Sequence, residues 1–295
     1  MSDVRHNARS ALPALMLAGT ALLFSTGGAA IKALSLNGTQ TVAFRSLVAA
    51  SVLYAAIPEA RRKWTRRTLL VALAYAATLA TYVYATKLTT AANAVFLQAT
   101  APLYLLLIGP LLLKETLRRT DAWMGLLVAT GMALFLAGNN APQATAPNPA
   151  LGNMLGVISG VTWALTLAGM RWIARSSSGN ALPVVVAGNL LVFALTLPEA
   201  LPMPAPAWKD IALILHLGCF QIGLSYVLLT RAIGRVPVFE ASLILLLEPV
   251  SNPIWSWLVH GERMDAWSLA GAAFVLAGVA WQAWCSRNQP AGGSS

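Results

Sequence analysis

Two stretches decide the fold: residues 82–115, YVYATKLTTAANAVFLQATAPLYLLLIGPLLLKE, and residues 229–262, LTRAIGRVPVFEASLILLLEPVSNPIWSWLVHGE. A shift of 147 positions lays one on the other without a gap. Ala85 then meets Ala232, Ala94 meets Ala241, Pro102 meets Pro249 and Glu115 meets Glu262. Each copy places a proline inside an apolar run, 13 residues before a loop glutamate. Further on, Asp121-Ala122-Trp123 recurs as Asp265-Ala266-Trp267 after a loop three residues shorter. Ordered matches of this kind mark an internal repeat.

The repeated stretches sit among long apolar runs. The chain has 295 residues, 57% hydrophobic and 10% charged. A soluble domain carries roughly 25% charged residues, so this one has too little polar surface to coat itself in water, and the lipid bilayer is its solvent. A spanning helix needs about 20 mostly apolar residues. Ten runs meet that need: 11–31, 38–57, 68–86, 91–113, 122–138, 151–173, 181–198, 210–230, 236–259 and 266–285. Lipid cannot satisfy free backbone groups, and the runs are too long and too uniformly apolar for barrel strands. Runs 3–5 match runs 8–10, so each repeat is a five-span unit. Five is odd, so the two copies enter the membrane from opposite sides. The expected fold is an all-α integral membrane protein with ten transmembrane helices in two inverted five-helix repeats. The first repeat covers 11–138 and the second 151–285. An external linker, 139–150, joins them, and residues 286–295 form a cytoplasmic tail.

Basic residues orient the chain. With the N-terminus in the cytoplasm, fifteen lysines and arginines fall on the cytoplasmic side, and Lys32, Lys87, Lys209 and Arg263 fall outside. Arg45 lies within the second run. Both ends are therefore placed in the cytoplasm, and the protein in a bacterial inner membrane as a multi-pass chain. The first run follows Arg5 and Arg9, but its apolar stretch exceeds the roughly 7–15 residues of a signal-peptide core.

Several classes are excluded. The net charge of +10 sits in short gaps between apolar runs, not on a soluble face suited to nucleic acid. Cys219 and Cys285 lie in separate apolar runs and make no metal or disulfide framework. His6, His216 and His260 form no constellation, and no phosphate loop, dinucleotide fingerprint or hydrolase elbow is present. No enzyme activity, metal or cofactor is expected. The partners are the bilayer and a small-molecule substrate; oligomeric state is not legible.

Pro102 and Pro249 fall near the middle of the fourth and ninth runs. A proline there removes a backbone hydrogen bond and kinks a helix, so both are expected as hinges. Gly152, Gly156 and Gly160 share one face of the sixth run, which suits close helix packing in lipid.

Two copies of the pattern Ala-(x)7-Pro-(x)12-Glu, at 94–115 and 241–262, resemble the paired EamA domains of the drug/metabolite transporter superfamily. Leu247-Glu248-Pro249-Val250 is similar to the second-half signature of that family, and Phe44-Arg45 to its first-half arginine. The likeness covers roughly 11–285. It implies ten helices, a central cavity and export of amino acids or other metabolites. Phe24 stands where many members have tryptophan, while Trp163 fills the corresponding place in the second half.

An ionisable group inside a bilayer is costly, about 2.5–3.5 kcal/mol on insertion scales, and so marks a functional site. Glu248 is near the midplane, with Asn252 and Trp255 one and two turns on. It suits proton exchange or reception of a substrate amine. Its other reading is a structural pair with Arg45, and Arg45 itself suits either a structural partner or an anionic substrate group. Tyr75, Thr78 and Tyr82 share a face of the third run. Gln98, Trp163, Thr166 and Tyr226 add amphipathic groups at mid-membrane depth. Aromatic walls with a few polar groups make a ligand site. The expected substrate set is Tyr75, Thr78, Tyr82, Gln98, Trp163, Thr166, Tyr226, Glu248, Asn252 and Trp255, with Glu248 and Arg45 as charge-coupling groups. The expected function is export of amino acids or similar zwitterions by alternating access, with proton coupling. Transport of organophosphates or nucleotide sugars is the alternative, but it needs more intramembrane cations. A non-transporting sensor or assembly protein is the alternative from another class.

Overall fold

The computed structural model describes residues 2–114, 119–137, 142, 144–175, 180–203 and 205–287. Side chains are described from Leu12 onward, except 119–121, 239, 279 and 282–287. Glu115, most of the linker before residue 144, the turn at 176–179, residues 288–295 and the Cys285 side chain lie outside what is described.

The described chain is helical, with no strand. The helices are α1 (Ser2–Ser25), α2 (Gly27–Ala33), α3 (Gly38–Ala56), α4 (Arg66–Leu88), α5 (Ala91–Gln98), α6 (Ala101–Ile108) and α7 (Arg119–Ala137). The second half holds α8 (Pro149–Ala174), α9 (Leu182–Ala200), α10 (Trp208–His216), α11 (Ser225–Ile233), α12 (Val238–Ile244), α13 (Leu247–His260) and α14 (Ala266–Arg287). Wider π-helical turns follow α6 at Gly109–Leu113 and join α10 to α11 at Leu217–Leu224.

Among the described residues, seven helical stretches are long and apolar enough to cross a membrane: Leu12–Ala33, Arg66–Leu88, Ala91–Leu113, Pro149–Ala174, Leu182–Ala200, Trp208–Ile233 and Glu240–His260. Ala122–Ala137 and Ala266–Gly278 are apolar but shorter within the described residues. Helix α3 carries Gln40 and Arg45 among its apolar residues.

Polar residues define the helix starts. Asn37 and Gln40 cap α3 reciprocally, as Thr65 and Thr68 cap α4. The Thr90 side chain accepts from the Asn93 amide at the start of α5, and Asn148 accepts from Leu151 at the start of α8. Such caps satisfy backbone donors that no helix turn reaches, worth about 0.5–2 kcal/mol each.

The prolines do more than kink. The fourth run is broken: α5 ends at Gln98, and α6 starts at Ala101 with Pro102 in its first turn. The ninth run breaks at the equivalent place, with α12 ending at Ile244 and α13 starting at Leu247 ahead of Pro249. Each proline occupies a helix start, where its missing N–H costs nothing. The expected mid-helix hinges are thus paired discontinuities. The first run breaks too, at Thr26 between α1 and α2.

Packing follows the repeat. Helix α4 lies on α8, and its counterpart α11 lies on α1. The α5–α6 pair lies on α8, and α12–α13 on α1 and α2. The α3–α9 and α7–α14 contacts each map onto themselves when the halves are exchanged. The glycine face of α8 permits close approach: a Cβ on Gly152 would stand 2.6 Å from Thr89 N, and one on Gly160 2.8 Å from Leu97 O.

Candidate functional site

Where the broken helices meet, two small adjoining cavities open in the core. One, of about 30 Å³, is lined by Phe24, Arg45, Thr78, Leu79, Tyr82, Gln98, Trp163, Gln221, Ile222, Tyr226 and Glu248. The other, of about 20 Å³, shares Gln98, Trp163 and Glu248 and extends to Pro102, Ser242 and Pro249. Space of this size holds about one or two waters, so the chamber is narrow.

Arg45 and Glu248 face the first cavity from opposite repeats, yet they form no ion pair: the one salt bridge among the described residues lies elsewhere. Arg45 is almost wholly buried; its Nη2 donates to the Leu79 carbonyl at 3.2 Å, and its Nε and Nη1 meet no acceptor. Glu248 is buried in the first turn of α13, and no described residue donates a hydrogen bond to its carboxylate. Of the two readings, a structural pair between these groups is absent among the described residues, and the structural partner of Arg45 is the Leu79 carbonyl. Phe24, Trp163 and Tyr226 form the aromatic wall, with ring centroids 5.1–6.2 Å apart.

The other sequence-predicted residues divide. Thr78, Tyr82, Gln98, Trp163 and Tyr226 line the chamber. Gln98 Nε2 is held by Ser159 Oγ at 2.7 Å. Tyr75 and Thr166 stand behind the wall and do not line it. Tyr75 Oη accepts from Asn189 Nδ2 at 3.0 Å and its ring packs edge-on to Tyr226, while Thr166 bonds Thr78 at 3.2 Å. Asn252 is fully buried one turn beyond Glu248. Trp255 does not line the chamber: it is 42% exposed, with its indole donating to Ser25 Oγ. Gln221 was missed. It is the sole carboxamide in the run 210–230, and the π-helical turns bring it and Tyr226 onto one face.

The two ends of the bundle differ. At one end Lys32 Nζ pairs with Glu262 Oε1 at 2.9 Å and donates to the carbonyls of Thr89 and Thr145. Glu262 Oε2 also accepts from Ala91 N, at the start of α5, at 3.0 Å. Beside this knot, Lys87 donates to Leu34 O, and Asp210 accepts from Ser35. Thr89, Asn93, Asn153 and Ser268 continue the network. At the other end a vestibule of about 510 Å³ opens among Met16, Glu59, Asn180, Thr230, Arg231 and Arg235. Tyr226, on the chamber wall, is one turn from Thr230.

The comparisons agree with this architecture. The EamA-like transporter family matches at residues 11–137 and 150–283. No curated protein matches the chain, while 28 chains of solved structures do. One of these, a protein crystal structure, covers 93% of this chain and 97% of its own, with a TM-score of 0.66 and 18% identity. At that identity the likeness is one of fold alone. Matched twice along its length, once over each half, this multi-pass membrane protein belongs to the EamA-like transporter family.

Proposed function

We propose that the chain is a secondary transporter that exports small zwitterionic metabolites, amino acids or similar solutes, from the cytoplasm by alternating access. It spans the inner membrane ten times, with both termini inside and the halves 11–138 and 151–285 threaded in opposite senses. One observation carries the substrate class: opposite charges from the two repeats face one chamber without pairing. Leaving two buried charges unpaired is costly, and a zwitterion satisfies both at once. Arg45 keeps two donating nitrogens free for a carboxylate, and Glu248 receives the ammonium against the aromatic wall. The Glu248 carboxylate is also the coupling group, exchanging cations between the two sides; a proton is the cation the sequence leads one to expect.

The asymmetry of the ends supports the cycle. The sealed end holds the loops assigned to the outside, and the vestibule lies at the end rich in arginine. The conformation is closed outward, and a chamber this small must widen before cargo enters. Nucleotide-sugar carriage is disfavoured because Arg45 is the one cation lining the described chamber. Purified protein in liposomes should exchange labelled amino acids in counterflow, and Arg45→Gln should abolish the exchange. Flux confined to phosphorylated sugars, or no solute flux at all, would overturn the reading.

A further inference from the structure

The first run of each repeat ends in a buried cation. A shift of 139 positions, the one that lays Phe24 on Trp163, also lays Ala11-Leu12 on Ala150-Leu151, Thr20 on Ser159, Ala29 on Ala168 and Lys32 on Arg171 without a gap. Lys32 Nζ donates to the Thr89 carbonyl at 2.9 Å. Arg171 Nη1 donates to the Val236 carbonyl, and to that of Ile233 at 3.0 Å. The separate shift of 147 lays Thr89 on Val236. Equivalent cations therefore grip equivalent carbonyls, once in each repeat. The neighbouring contact repeats as well. Lys87 bonds the Leu34 carbonyl, and its counterpart Gly234 stands against Ala174, next to Ile173, the counterpart of Leu34.

In each case the gripped turn leads into a half-helix. Thr89 follows α4 just ahead of α5, and the stretch from Ile233 to Val236 joins α11 to α12. Carbonyls at a helix end have no partner within the helix, and a cation there is favoured by the helix dipole. Arg171 is buried, so its bonds to these carbonyls are made away from water. They border the cytoplasmic vestibule, which Ala174, Gly234 and Arg235 line. Were the end of α8 to part from that of α11, water would bond the carbonyls in place of Arg171. The contact thus belongs to a shut end. Two inverted repeats that face opposite sides in turn need such a device at each end.

We propose that Arg171 is the cytoplasmic latch of the carrier and Lys32 its outer counterpart, released in alternation. Lys32 is held further by Glu262. The inference rests on the alternating-access reading, but its test does not depend on knowing the cargo.

The reporter is Thr78→Cys, on the chamber wall, in the full chain carrying Cys219→Ala and Cys285→Ala. A membrane-impermeant maleimide is applied to right-side-out and to inverted vesicles, and labelling at residue 78 is read by peptide mass. Arg171→Gln should raise the labelling rate from the cytoplasmic face roughly tenfold or more, the scale of a lost hydrogen bond to a charged group, and lower it from the outer face. Lys32→Gln should do the reverse. If Arg171→Gln does not insert, a cysteine pair takes its place. A Cβ on Gly234 would stand 3.1 Å from the Ala174 Cβ, close to the roughly 3.5–4.5 Å of a disulfide. Oxidised Ala174→Cys/Gly234→Cys should abolish cytoplasmic labelling, and reduction should restore it. Unchanged labelling in Arg171→Gln overturns the latch, as does an equal rise from both faces, which marks loosened packing. Cytoplasmic labelling indifferent to the oxidised pair overturns it too. Counterflow without any labelling response leaves the carrier reading standing and removes the latch. A labelling response without amino-acid counterflow keeps the latch and removes the proposed cargo.

Discussion

Lys32 Nζ and Glu262 Oε1 lie 2.9 Å apart, with both side chains almost wholly buried. The pair ties the end of the first run to the last loop of the second half. Glu262 also closes the start of α5 through Ala91 N, so one carboxylate holds three elements from both repeats.

Removing one partner strands the other. Glu262→Gln should destabilise the fold by about 3 kcal/mol or more, because a buried lysine loses its counter-charge. Adding Lys32→Met to that variant should cost less than the two single changes summed. A double-mutant cycle on melting free energies in detergent measures the coupling. Strict additivity would mean that the pair does not seal this end.

Glu248→Gln separates function from fold. The carboxylate is buried without a hydrogen-bond donor, so neutralising it removes a cost and no contact. Its melting temperature should be equal to or above that of the natural chain. Gradient-driven accumulation in liposomes should vanish. Full coupling in this variant would discard Glu248 as the coupling group.

The glycines of α8 should rank by what their Cβ would meet. Gly152→Ala and Gly160→Ala press on backbone atoms, at 2.6 and 2.8 Å, and should each cost about 1–3 kcal/mol. Gly156→Ala meets Leu97 Cβ at 3.0 Å, a longer contact than the other two, and should cost less. Melts of the three variants in one detergent check the order.

The two tryptophans predict opposite behaviour. Trp255→Phe loses one hydrogen bond, to Ser25, at about 1 kcal/mol, and should leave the KM of transport unchanged. Trp163→Phe removes part of the chamber wall and should shift KM with little change in melting. Initial-rate uptake in liposomes distinguishes them; equal shifts in both would place the binding wall elsewhere.

Much of the candidate chamber was legible. Arg45, Thr78, Tyr82, Gln98, Trp163, Tyr226 and Glu248 stand out as polar or aromatic groups in apolar runs, and all seven line the chamber. The errors share one cause, which is helix rotation. Regular spacing from Glu248 predicts Trp255 on its face, but the buried face of α13 runs through Asn252 and Ser256 and leaves Trp255 partly exposed. Gln221 is not legible because π-helical turns advance fewer degrees per residue than α-helical ones, so α-helical spacing from Tyr226 does not reach it.

The amino-acid order alone determined a helical membrane protein with a duplicated half. Apolar run length is matched to bilayer thickness, and lipid forces each backbone to bond within its own helix. The recurrence of Pro102 as Pro249 is a property of the string itself. Tertiary packing decided that Arg45 and Glu248 form no ion pair, that both prolines fall in the first turn of a helix, and that Lys32 and Glu262 pair at one end while a vestibule opens at the other. Those outcomes depend on the rotation and depth of each helix against its neighbours. In lipid these are set by close contacts and buried polar bonds between distant parts of the chain, which no local pattern records.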